Sequence, residues 1–198
     1  HLAKLTDDFG IIQFAKLTES DLSSGYTVDD NARALIVAAL CYEKDRTPSS
    51  LKLVSIYLNF IFQVVKSNGY FDNYVDSDRT INKQRNIREY SEDPSARTLY
   101  ALGLVSTTEH VPKSIGDRAH SLFEQSFRKN LAFSYPRSTA FYIKALCCLL
   151  SKWREPDTLA ALKQNCEQLM ALYEQNHSSD WDWFEHYLTY SNAILPEA

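Results

Sequence analysis

Gly25-Tyr26-Thr27-Val28-Asp29-Asp30-Asn31-Ala32-Arg33-Ala34-Leu35 is the stretch that decides how this chain folds. Its polar head offers capping oxygens, and Ala32, Leu35, Ile36, Ala39 and Leu40 then recur at helical spacing, which predicts a helix from Asn31 to Lys44 with Asp30 as its cap. A second segment repeats the design. Asp93-Pro94-Ser95-Ala96-Arg97-Thr98-Leu99 also runs from an acid through Ala-Arg to Leu. Weak repetition of a helix pair is the sequence signature of a solenoid or a closed helical toroid.

Working outward, Ser50 to Lys66 is apolar nearly all round and is stopped by Gly69, as expected for a helix covered on several sides that pairs with the first as an antiparallel hairpin. The polar stretch from Tyr70 to Tyr90 is longer than an ordinary connection and reads as a functional loop, with a short strand pair around Tyr70 to Val75. Asp93 caps the next helix, Pro94 occupies its first turn, and Ala96, Leu99, Tyr100 and Gly103 mark its buried stripe. Ile115 to Leu131 continues with a 3.6-residue period and completes the second hairpin. Pro136 to Lys152 and Pro156 to Gln175 form the third, and Trp181 to Tyr190 begins another helix. The fold class expected is all-α, a single helical domain over residues 1–198 in which helical hairpins form an incomplete (α/α) toroid. Leu195-Pro196-Glu197-Ala198 reads as a helix first turn, so the chain is expected to be part of a longer protein.

Composition narrows the function. A chain of 198 residues with 44% hydrophobic content can bury one good core. The formal net charge is −4 and no Lys/Arg cluster is dense enough to track a phosphate backbone, which argues against nucleic acid. The most apolar stretches are interrupted by Asn59, Gln63 or Lys144, which argues against membrane insertion. Cys41, Cys147, Cys148 and Cys166 lie in apolar helical segments without metal-ligand spacing and read as small core residues of a cytoplasmic protein. None of the five histidines has a partner at ligand spacing, and there is no phosphate cradle or nucleophile elbow, so neither metal nor cofactor is expected.

The acids and rings at the helix ends carry the chemistry. Carboxylates with Arg, Asn and flat aromatic rings suit a polyhydroxylated ligand, because hydroxyls need polar partners in pairs and C–H faces need apolar platforms. Asp29 and Asp30 are either a sugar-binding or catalytic pair or, for Asp30, a helix cap. Arg33 and Arg97 either fork hydrogen bonds to a ligand or tie repeats together through Asp30 or Glu92. Asp30, Glu92, Asp93 and Glu185 are the candidates for general acid and base, since an inverting glycosidase needs two carboxyls about 6.5 to 9.5 Å apart. The alternatives are a cap at Asp93 and a solvated Glu185. Tyr26, Asn31, Trp183, Tyr190 and Asn192 complete the candidate binding set, with Tyr90 and Trp181 as further stacking platforms.

Leu5-Thr6-Asp7-Asp8-Phe9-Gly10-Ile11-Ile12-Gln13, the Gly25–Leu35 stretch, Ser91-Glu92-Asp93, and Trp183-Phe184-Glu185 with Leu188 through Ala198 resemble a bacterial (α/α) toroid domain of the six-hairpin glycosidase type. Such domains are associated with glycosyltransferases and mannoside-processing enzymes. A full toroid of about a dozen helices needs about 300 residues, so the resemblance implies an incomplete ring. It further implies an oligosaccharide ligand, with mannose-containing ones among the candidates, that is cleaved or held, and a glycosyltransferase domain as a candidate partner. The other reading is a non-catalytic helical module for a glycan or a glycosyltransferase. Open ends of the ring would expose apolar faces and favour a homodimer.

Overall fold

Thr27 starts the first helix. Its hydroxyl oxygen accepts the Asp30 N–H at 3.1 Å, while the Asp30 carboxylate accepts the Thr27 hydroxyl proton at 2.6 Å. The cap is therefore Thr27, and Asp30 supports it from inside the first turn, which corrects the expectation that Asp30 itself does the capping. In the computed structural model, which describes residues 2–198, helix α1 spans Val28–Asp45. It ends with Arg46 in the left-handed conformation (φ 50°), and Thr47 at once caps α2, Pro48–Val64, so the two helices fold back on each other as a hairpin. A short α3, Lys83–Arg88, lies in the polar stretch. The second hairpin is α4, Asp93–Thr107, with α5, Lys113–Phe127, and the third is α6, Pro136–Lys152, with α7, Pro156–Asn176. A single turn, α8, Ile194–Glu197, packs on α6. The class is all-α.

The hairpins stand side by side in two layers. Helices α1, α4 and α6 pack on one another in that order, and each is backed by its own partner, α2, α5 or α7. The three run the same way: Arg97 in the first turns of α4 reaches Asp29 at the start of α1, and at the far end Lys152 of α6 donates to the Ser106 carbonyl of α4 at 2.9 Å. Close packing of α4 on α6 depends on Gly103, where an added Cβ would lie 3.0 Å from the Ala145 carbonyl oxygen. One continuous core fills both layers, with Leu35, Tyr57, Phe60, Leu99, Leu102, Phe123, Ile143 and Leu146 almost fully buried. Helix α2 is also covered from the N-terminal segment, where Phe9 packs edge-on and Tyr26 at a tilt against Phe60. On the opposite flank of the layer, α1 leaves Val37 and Leu40 about half exposed.

Three local expectations are corrected. Tyr74–Val75 is a strand, but its antiparallel partner is Tyr26–Thr27 rather than a neighbour within the 70–75 stretch, so the polar loop is pinned to the start of α1. Gly25 makes that approach feasible: at φ 69° a Cβ would sit 2.3 Å from the Val75 carbonyl oxygen. Residues 181–190 are not helical. Asp, Trp, Phe, His and Tyr are all middling or poor helix formers, and the Trp181 indole N–H donates to the Glu185 carbonyl as part of an irregular, side-chain-bonded path. Cys41 and Cys147 are exposed rather than core residues, whereas Cys148 and Cys166 are half-buried, Cys166 against the core, and all four are free thiols. No helix among the described residues is long and apolar enough to cross a membrane.

Candidate functional site

The parallel helices α1, α4 and α6 bring three equivalent first turns to one rim. With Ala32, Ala96 and Ala140 placed in register, the positions three residues before them are Asp29, Asp93 and Arg137, and the positions one after are Arg33, Arg97 and Phe141. In α1 the acid pairs with its own Arg, Asp29 with Arg33 one turn on. The Arg97 guanidinium crosses to α1, its Nε 3.0 Å from Asp29 Oδ1, while its Nη2 lies 3.9 Å from Asp93 Oδ2. The Nε–H is not aimed at the Asp29 oxygen, so that contact is a charge pair rather than a hydrogen bond. The guanidinium carbon lies over the Phe141 ring, 4.1 Å from its centroid. The third repeat thus inverts the pattern, with a cation where the others have an acid and a ring where they have a cation.

The inverted Arg137 is only 4% exposed and is satisfied from far along the chain. Its Nη1 donates to both oxygens of Glu185, at 2.9 and 2.7 Å, its Nη2 donates to Asn192 Oδ1 at 2.8 Å, and its Nε donates to the Tyr190 carbonyl. These bonds hold residues 185–192 over the start of α6. Tyr190 then donates its hydroxyl to Asp93 Oδ2, and Ser138 donates to Asp93 Oδ1. Burial, and after it the bond to Asp93, pushes the Tyr190 phenol up to about 12, which keeps it a donor.

Over this network lies a cleft of about 250 Å³. Asp93, Arg137 and Glu185 form its floor, and Tyr90, Tyr135, Tyr187 and Tyr190, each 55–63% exposed, surround it. Ser91 and Thr189 add hydroxyls. Asp29, Asp30, Asp93 and Glu185 against Arg33, Arg97 and Arg137 leave the rim slightly acidic.

The other sequence candidates occupy different places. Glu92 accepts the backbone N–H groups of Ser134 and Tyr135, at 2.7 and 3.2 Å, and so anchors the approach to α6. Asn31 is fully buried and ties α1 to the N-terminal segment through the Ile11 N–H and the Thr27 carbonyl. Tyr26 is buried as well; its hydroxyl donates to Asp7, and burial followed by that bond raises its phenol to about 12. Asp30 lies with Arg33 outside the cleft, in a separate pocket of about 230 Å³. Burial raises its carboxyl above the usual range, more than the Thr27 bond and Arg97 lower it. Trp183 packs edge-on against Phe184 with its indole N–H buried and unpartnered. The pairings proposed for the arginines change too: Arg33 meets Asp29 rather than Asp30, and Arg97 meets Asp29 and Asp93 rather than Glu92.

Arg137, Tyr135 and Tyr187 do not stand out in the sequence. The signal for Arg137 is its place in register with Asp29 and Asp93. A histidine also gains partners that its spacing does not announce, because Glu43, Glu109 and His110 come together with ligand atoms within 4.8 Å of one another. Both imidazole nitrogens there are engaged, Nδ1 with Glu43 and Nε2 with Arg46, each at 2.6 Å. No known family model matches the chain, and no curated protein sequence matches it.

Proposed function

We propose that the rim cleft binds an oligosaccharide, and that the three hairpins are consecutive sectors of an (α/α) toroid of the six-hairpin type. One observation carries this reading: four half-exposed tyrosines surround a floor of Asp93, Arg137 and Glu185. Exposed rings offer flat apolar faces to sugar C–H groups, while the fixed carboxylates and hydroxyls offer paired partners to sugar hydroxyls. The slight acidity of the rim favours a neutral sugar over an anionic one. Four free thiols and the absence of any disulfide among the described residues are in keeping with a cytoplasmic protein.

Holding is favoured over cleaving, because the cleft acids are already engaged, Glu185 by a guanidinium and Asp93 by two hydroxyls. A hydrolytic reading would place its proton donor outside the cleft, at Asp30 in the pocket beside Arg33, whose raised carboxyl and lack of a salt-bridge partner among the described residues suit that role. Calorimetric titration of the chain with manno-oligosaccharides, run beside a reducing-end assay, separates the two. Binding without new reducing ends supports the module, and product formation abolished by Asp30→Asn supports the hydrolase. Absence of binding together with absence of product overturns the carbohydrate reading.

A further inference from the structure

A larger cleft, about 620 Å³, opens on the other side of the loop that joins α5 to α6, between the end of α5 and the flank of α7. Its volume falls within the roughly 300–1,000 Å³ typical of small-molecule sites. The α7 wall runs from Asp157 through Ala160, Ala161, Gln164 and Asn165 to Gln168, a stripe of roughly 16 Å at 1.5 Å per residue.

The floor holds a polar group with no partner. Tyr142 of α6 is only 3% exposed, yet its hydroxyl makes no hydrogen bond among the described residues, although Tyr142 lines the cleft. The hydroxyl is not sealed in the core, so it is free to bond to whatever enters the cleft. Burial pushes its phenol up, which keeps the proton on and the group a donor as well as an acceptor.

The amides around it are arranged as acceptors. Gln168 donates its Nε2 to the Phe133 carbonyl at 2.8 Å and Asn165 its Nδ2 to the Ala161 carbonyl at 2.8 Å, which leaves the oxygen of each side chain without a donor. Asp157 adds a carboxylate that has no ion-pair partner among the described residues, Arg128, 3.7 Å from Glu124, adds a guanidinium that offsets its charge, and Phe127, Leu131 and Phe133 supply apolar faces. An acceptor-rich wall facing apolar side chains selects a ligand with many O–H donors and exposed C–H groups.

We infer that this groove is a separate binding site for a neutral, hydroxyl-rich ligand of the size of a short oligosaccharide, with the Tyr142 hydroxyl at its floor. The inference does not rest on the rim cleft, which shares none of these residues.

The test is a titration of the 15N-labelled chain with cellotriose, mannotriose and maltotriose, following the side-chain amides of Asn130, Gln164, Asn165 and Gln168 by NMR. At least one trisaccharide is expected to shift these signals saturably. Tyr142→Phe, which keeps the ring and removes the hydroxyl, should weaken that titration about tenfold, as expected for one buried hydrogen bond. Should Tyr142→Phe perturb the fold, Gln164→Ala on the exposed wall probes the same groove and should weaken the titration several-fold. The backbone amides of Ser91 and Thr189 report the rim cleft in the same spectra, so either site can fail without the other. Groove amides unmoved by all three sugars, or shifting equally in wild type and both variants, overturn the inference and leave a crevice that holds only water.

Discussion

Replacing Glu185 with alanine should destabilise the chain far more than removal of a surface acid. Glu185 is 9% exposed and Arg137 4%, and both carboxylate oxygens are taken by one guanidinium nitrogen. Glu185→Ala therefore strands a buried cation, and breaking a buried pair from one side costs about 3–5 kcal/mol. For a chain of 198 residues, in the class where each kcal/mol moves the melting temperature by about 2–4 °C, the expected drop is roughly 6–20 °C. The exposed pair Lys113–Asp117 provides the control, since its loss should cost only about 0.3–0.5 kcal/mol. Replacing both charges with Arg137→Met and Glu185→Leu should recover part of the loss, because neither charge is then left buried although Asn192 and the Tyr190 carbonyl still lose their donor. Thermal unfolding followed by circular dichroism measures all four proteins. If Glu185→Ala melts within a degree or two of wild type, or the double variant is no more stable than the single, residues 185–192 are not held in the way described.

Three further outcomes follow from the same geometry. Gly25→Ala should cost at least about 2–3 kcal/mol, since its φ of 69° and the 2.3 Å approach to the Val75 carbonyl leave no room for a Cβ, and denaturant unfolding checks it. Asp30→Asn should raise the melting temperature at pH 7. The Asp30 carboxyl is raised by burial, so its stabilising contribution is full below the unfolded value near 3.9 and is lost as pH rises through the higher folded value; the two proteins should therefore melt together near pH 3 and diverge upward, and a variant less stable at pH 7 refutes the reasoning. Arg97→Lys should cost about 1–2 kcal/mol, because an ammonium neither stacks on Phe141 nor reaches Asp29 and Asp93 together, and a double-mutant cycle with Phe141→Leu isolates the stacking part.

The helices were legible because their signals are local. Apolar spacing and a polar head placed α1 to within three residues of its true start, and Pro136 and Pro156 marked the first residues of α6 and α7. Residues 181–190 misled because they are rich in large apolar side chains that mimic a buried helix stripe, whereas their conformation is set by partners more than forty positions away, such as Arg137. The roles of Asn31 and Glu92 were illegible for the same reason: each satisfies backbone groups of another segment, and no pattern within a single element announces that. The rim itself was partly legible, since the repeated acid and Ala-Arg heads pointed to one end of the bundle, but the third head carried no such motif.

That third head is where the concave part of the rim is made. A helix N-terminus carries partial positive charge and favours anions, so Asp29 and Asp93 sit where the backbone attracts them and Arg137 sits where it does not, at a penalty of about 0.3–1 kcal/mol before burial is counted. A buried cation in that position persists only if an acid is brought to it, and the two acids in register with it are already engaged: Asp29 is held by Arg33 and Arg97, and Asp93 by Ser138 and Tyr190. Glu185 arrives instead from beyond α7, on a segment that must leave helical geometry so that Glu185, the Tyr190 carbonyl and Asn192 can all face one guanidinium. The same path places Tyr187 and Tyr190 opposite Tyr90 and Tyr135. Had the third repeat kept the acid of the first two, residues 185–192 would have lacked their anchor, and the rim would have been flat where it is now concave.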